Sequence, residues 1–155
     1  MAELNHDTII TRIIDILKAD SQLAKPSIVK EYYSHVPVQS PSLRNPYCYV
    51  ILAEERDRRL GPGTPGVGAF EVEYSIAFFE KNVKPWDAEK KVRDLSERAK
   101  VVLKSNQKLG EPASPTVDTK VLESWPIRRR PTILLQEQDY SIAGMVVTLQ
   151  ARATG

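Results

Sequence analysis

Four groupings in this 155-residue sequence have residue types and spacings that could do chemistry. The run Gly61-Pro62-Gly63-Thr64-Pro65-Gly66 fits G-x-G-x-x-G, in which glycines let amides at a strand-to-helix turn hold a pyrophosphate. Here two prolines remove amide donors, a charged stretch separates the glycines from the preceding apolar run, and a strand pattern follows. The run therefore reads as a loop. Glu71 and Glu73 fall on one face of a strand, about 6.8 Å apart at about 3.4 Å per residue, a separation suited to an inverting glycosidase. One acid of such a pair needs a raised pKa in a cleft, and nothing nearby in sequence supplies it; the wet side of a strand accounts for both residues. Cys48 with His35 as base would make a thiolate nucleophile. Cys48 leads into Tyr49-Val50-Ile51-Leu52, however, where a small apolar filler is expected. His6, His35 and Cys48 have no zinc spacing, so no catalytic residue, cofactor or metal is expected.

The fourth grouping is basic: Arg56, Arg58 and Arg59, then Arg128, Arg129 and Arg130. These residues could neutralise phosphates, but Glu54, Glu55 and Asp57 dilute the first cluster, and single-strand readout would also need aromatic platforms. Arginine is favoured in protein interfaces, so all six are candidate subunit or partner contacts. A small α+β nucleic-acid-binding domain is the alternative from another functional class.

The elements that must position these residues can be cut out at the prolines, which sit inside neither helices nor central strands. The stretch from Met1 to Lys25 repeats Ile9, Ile10, Ile13, Ile14 and Leu17 at helical spacing, with Asn5 or Asp7 as cap. Residues Ser27 to Pro46 read as a loop with one short strand over Ile28 to Tyr33, and Tyr47 to Ala53 as a strand covered on both faces. Glu54 to Gly68 reads as a long flexible loop. Phe70, Val72, Tyr74, Ile76 and Phe78 alternate with Glu71, Glu73 and Ser75 as in a half-buried strand. Asp87 caps a second amphipathic helix to Ser105, carrying Ala88, Val92, Leu95, Ala99, Val102 and Leu103. A strand from Val117 to Trp125, a basic turn Arg128 to Arg130 and an alternating tail ending near Ala151 complete the chain. The order α-β-β-α-β-β gives an α+β fold: a mainly antiparallel sheet of about four strands with two helices on one face. Paired strands with no helix between them argue against a doubly wound α/β fold.

Composition bounds the rest. Lys plus Arg is 22 and Asp plus Glu is 20, a net charge of +2 that announces neither a nucleic-acid nor a membrane binder. The single cysteine excludes an intrachain disulfide and fits a reducing compartment, or a particle assembled in one. Charges interrupt the first twenty residues, and no apolar run reaches the roughly 18 residues of a membrane span. One domain over 1–155 is expected, with 11 prolines against 7 glycines concentrated in its joints.

The layout resembles a known family. An Ile-rich first helix, the strand opening Asn45-Pro46-Tyr47-Cys48-Tyr49-Val50, a long loop into Phe70-Glu71-Val72-Glu73-Tyr74-Ser75-Ile76, a helix paced by Ala88, Val92, Leu95, Ala99 and Leu103, and an Arg-Arg region before a closing strand are similar to the tail terminator (tail-completion or neck) proteins of tailed bacteriophages. The resemblance covers nearly the whole chain and rests on length, element order and spacing. It implies a structural virion subunit of the tail or neck, assembled in the host cytoplasm. Such a subunit forms a ring with itself, a hexamer, that caps the tail tube protein, stops tube growth and offers the head-tail connector protein a docking surface. DNA would pass through the lumen unread, and no membrane is involved. A sheath protein stays open as a further partner, and another head-completion subunit is the neighbouring alternative. The resemblance carries no catalytic signature, and a non-enzymatic role is expected.

Overall fold

The computed structural model describes residues 5–23, 29, 31–36, 46–59, 68–82, 84–107, 109, 121–132, 135–136 and 141–154. The first helix, α1 (His6–Ala19), starts where the Asn5 side chain accepts a hydrogen bond from the Thr8 amide at 3.1 Å. Its stripe of Ile9, Ile10, Ile13, Ile14, Ile16 and Leu17 is buried. The helix stops at Asp20, whose backbone turns to an extended conformation while its amide donates to the Leu17 carbonyl.

Strand β1 (Glu31–Tyr33) runs parallel to the start of β2 (Tyr47–Arg59), and β2 pairs antiparallel with β3 (Gly68–Asn82). The expected loop from Glu54 to Gly68 is corrected here: Glu54–Arg59 continues β2 after a register shift between Leu52 and Glu54. Charge alone suggests a loop. In the ladder, though, Glu54 stands opposite Glu73 and Arg56 opposite Glu71, so these charges occupy the open face of paired strands. The G-x-G-x-x-G run, residues 61–66, lies outside the described residues.

Helix α2 (Pro85–Lys104) begins one turn earlier than Asp87 predicts. Pro85 occupies the first helical position, where its missing amide costs nothing and its fixed φ suits the turn, and Asp87 falls within the first turn. Strand β4 (Val121–Pro131) contains the arginine triplet, which is therefore strand rather than turn. Proline is tolerated there because β4 is a sheet edge with a register shift at Pro126/Arg128. A two-residue strand, β5 (Leu135–Gln136), and the long β6 (Ser141–Thr154) follow.

The six strands form one sheet in the order β1-β2-β3-β6-β4, with β5 also on β6. The α+β reading with a mainly antiparallel sheet holds, and the count of about four strands rises to six among the described residues: β1 falls within the short strand expected over Ile28 to Tyr33, and the two-residue β5 is too short to show a periodicity. Cys48 and Val50, then Val72, Tyr74, Ile76 and Phe78, then Val147, Leu149 and Ala151 share a buried cluster with the apolar stripes of both helices. Both helices therefore cover the same sheet face.

Two polar ties fix α1. Arg98 on α2 donates to Asp20 at the end of α1 through Nε at 3.0 Å and Nη2 at 2.7 Å, and this hydrogen bonding holds the Asp20 carboxyl below its ordinary pKa. His6 at the start of α1 links the Tyr74 hydroxyl (Nδ1, 2.8 Å) to the Glu55 carboxylate (Nε2, 2.9 Å).

Two outcomes follow. Asp20→Asn should cost about 1–2 kcal/mol at pH 7. The contribution is fully present above the ordinary carboxylate pKa of about 3.9 and lost as pH falls through the depressed folded value, so wild type and variant should converge in acid; urea melts across pH check this. At Gly144, an added Cβ would collide with Thr132 Oγ1 and lie 2.7 Å from Phe79 Cε1, so Gly144→Ala should destabilise by about 1–3 kcal/mol, read from the thermal midpoint.

Candidate functional site

With one face under helices, the sheet itself meets other molecules at its open face and its edges. Alternation puts Tyr33, Tyr47, Tyr49 and Phe79 on the open face at one end of β1, β2 and β3. The Tyr47 and Tyr49 rings stack on Phe79 with centroids 5.3 and 5.5 Å away, and Tyr33 meets Tyr47 edge-on at 6.2 Å. Burial in this stack raises the pKa of the Tyr47 and Tyr49 hydroxyls, keeping them neutral donors. Sequence reading missed the row as a unit. Its signal was the run Tyr47, Tyr49, Ile51, apolar on the face that a half-exposed strand leaves polar.

Toward the other end the same face is charged and balanced. Arg56 Nε donates to Glu54 at 2.8 Å, Arg152 to Glu123 at 3.0 Å, and Arg128 stands 3.6 Å from Glu73. The cleft between Glu54, Arg56, Glu71, Glu73 and Gln150 is about 20 Å³, space for one water and none for a sugar. The Glu71 and Glu73 pair thus belongs to a face of compensating charges.

The six candidate arginines do not gather. Arg56 is exposed on the open face of β2; Arg58 and Arg59 pair through their backbones with Ala69 and Gly68, and their side chains lie outside the described residues. Strands β3 and β6 separate this group from β4. Within the triplet, Arg128 and Arg130 point to the open face and are exposed, whereas Arg129 points the other way. Its Nη1 donates to Glu97 at 2.6 Å, to the Arg93 carbonyl at 3.1 Å and to Ser96 Oγ at 3.3 Å, fastening β4 under α2. Arg129 thus serves as a structural tie between β4 and α2.

Cys48 is fully buried, and burial pushes its thiol well above the ordinary value. His35 is exposed against Tyr33, and no hydrogen bond joins it to Cys48 among the described residues. This thiol is a core filler, not an activated nucleophile. Among the described residues no group of three or more His, Cys, Asp or Glu could hold a metal, and no helix is long and apolar enough to cross a membrane.

Two edges remain. Strand β1 covers β2 only at Tyr47–Tyr49, so among the described residues β2 from Val50 to Arg59 pairs on one side alone. At the opposite margin, among the described residues, β4 pairs only with β6. The described residues therefore present two different unpaired strand edges on opposite sides of the sheet.

No protein-family model and no curated protein matches the chain. Among solved structures, its fold is similar to that of a chain in the virion of a native gene transfer agent particle, with a TM-score of 0.53 and 16% identity over 92% of each chain. At that identity the likeness is one of fold.

Truncation should separate tie from surface. Arg129→Ala should cost about 1–2 kcal/mol, whereas Arg128→Ala and Arg130→Ala should stay within about 0.5 kcal/mol of wild type, compared by denaturant midpoints.

Proposed function

We propose that this chain is a structural virion protein acting as a tail terminator: a ring subunit that caps the tail tube, stops its polymerisation and presents a docking surface to the head connector. The observation that carries the reading is the fold likeness to a virion chain over 92% of both chains. The edges support it. A contact between the β2 edge of one copy and the β4 edge of the next would be head-to-tail, and rotational closure of such contacts gives a ring. Six copies, a tail or neck position in the virion and assembly in the host cytoplasm follow from the family resemblance. The role needs no reaction chemistry, cofactor or metal.

The balanced face supports the same reading over a nucleic-acid binder. Arginines already satisfied by Glu54, Glu73 and Glu123 gain little from phosphates, because each new contact must first give up a carboxylate. DNA would slide through such a ring without being held.

Electron microscopy of the purified protein mixed with tail tubes should show six-fold rings and capped tube ends. A strict monomer that leaves tube growth unchanged overturns the proposal; localisation to the head side of the neck, away from the tube, favours a head-completion subunit. The double substitution Arg128→Glu with Arg130→Glu should lower the ring fraction about tenfold or more while the monomer stays folded, as measured by light scattering and circular dichroism.

A further inference from the structure

The α1–α2 layer holds a feature that the assembly role does not use. Arg12 lies within the apolar stripe of α1 and is only 5% exposed. Its Nε donates to the Leu109 carbonyl at 2.6 Å, while Nη2 is buried with no hydrogen-bond partner among the described residues. A guanidinium cannot discharge itself by losing a proton, so burying it with one neutral acceptor among the described residues leaves a cation that an anion would stabilise. Leu109 is itself fixed in the left-handed region at φ 54 and fully buried, which locks the carbonyl that aims the guanidinium.

Arg12 lines an open cleft of about 260 Å³ between the helices. The acids nearby do not fill the need. Asp20 is held by Arg98 in two hydrogen bonds, and the exposed Asp15 makes no ion pair with Arg12 among the described residues. Ile16, Ala19 and Val101 supply apolar walls, and Val101 is 46% exposed at the surface.

We infer that this cleft is a binding site for an aliphatic carboxylate, its acid group paired with the Arg12 charge and its alkyl stem lying along Ile16, Ala19 and Val101. The guanidinium keeps its charge at every working pH, so the cleft retains a cation for a carboxylate to meet. The chemistry is common to a free short-chain acid and to a glutamate side chain of another protein.

The test titrates the full chain with butyrate, with the blocked tripeptide acetyl-Gly-Glu-Gly-amide, and with butyramide as the neutral isostere, at constant ionic strength. Either carboxylate should shift the Arg12 Nε–H resonance saturably and raise Tm with the logarithm of its concentration, and butyramide should do neither. Tighter binding of butyrate identifies a small-molecule site, and tighter binding of the peptide a protein partner. Arg12→Met should weaken binding about tenfold or more. If that variant fails to fold, Val101→Phe, which plugs the cleft and leaves Arg12 in place, should abolish the shift. Equal responses to butyrate and butyramide, no saturable change up to about 100 mM, or undiminished binding in Val101→Phe overturns the inference.

Discussion

The pairing of β3 with β6, continuous from Ala69 opposite Thr154 to Asn82 opposite Ser141, is the constraint from which the other contacts take their positions. It sets Val72, Tyr74, Ile76 and Phe78 beside Ala151, Leu149, Val147 and Met145 on one face, and that combined surface is what both helices bury. A slip of one residue would carry those side chains to the open face and put Glu71, Glu73 and Arg152 under the helices. Apolar burial at about 25 cal/mol per Å² favours one register, and the cost of burying charge excludes its neighbours.

Polar contacts then fix what apolar packing leaves loose. Helices can slide on a greasy surface, but Arg98 with Asp20, Arg129 with Glu97 and His6 with Tyr74 each join two elements at a defined point. All three lie at the rim of the core, where the charged groups keep some water and their desolvation cost stays small. Arg12 departs from this pattern: it is buried, and it has no charged partner among the described residues.

The fold was legible where periodicity was strong. The isoleucines of α1, the alternation of β3 and the rhythm of α2 each specified an element and its buried face. Charged strand was not legible: Glu54–Arg59 has loop composition, and it became strand because β3 offered a partner ladder that propensity cannot see. The arginine triplet carried the same ambiguity. Three basic residues in a row look like one patch, but the two-residue period of a strand sends Arg129 to the helices and Arg128 and Arg130 to solvent. The aromatic row and the Arg12 cleft depend on residues distant in sequence, so neither could be read before the register was known.

The β3–β6 pairing also bears on how the chain reaches this state. Its partners are separated by α2 and β4, so the central contact closes a long loop, and the entropy of that closure precedes any gain from the ladder. Wherever the local β2–β3 pairing precedes the arrival of β6, one flank of β3 is left bare. Until β6 arrives, that flank is a template for any extended chain, including the same strand of another copy. The β3–β6 ladder thus also serves to cover a strand flank that would otherwise invite pairing between copies.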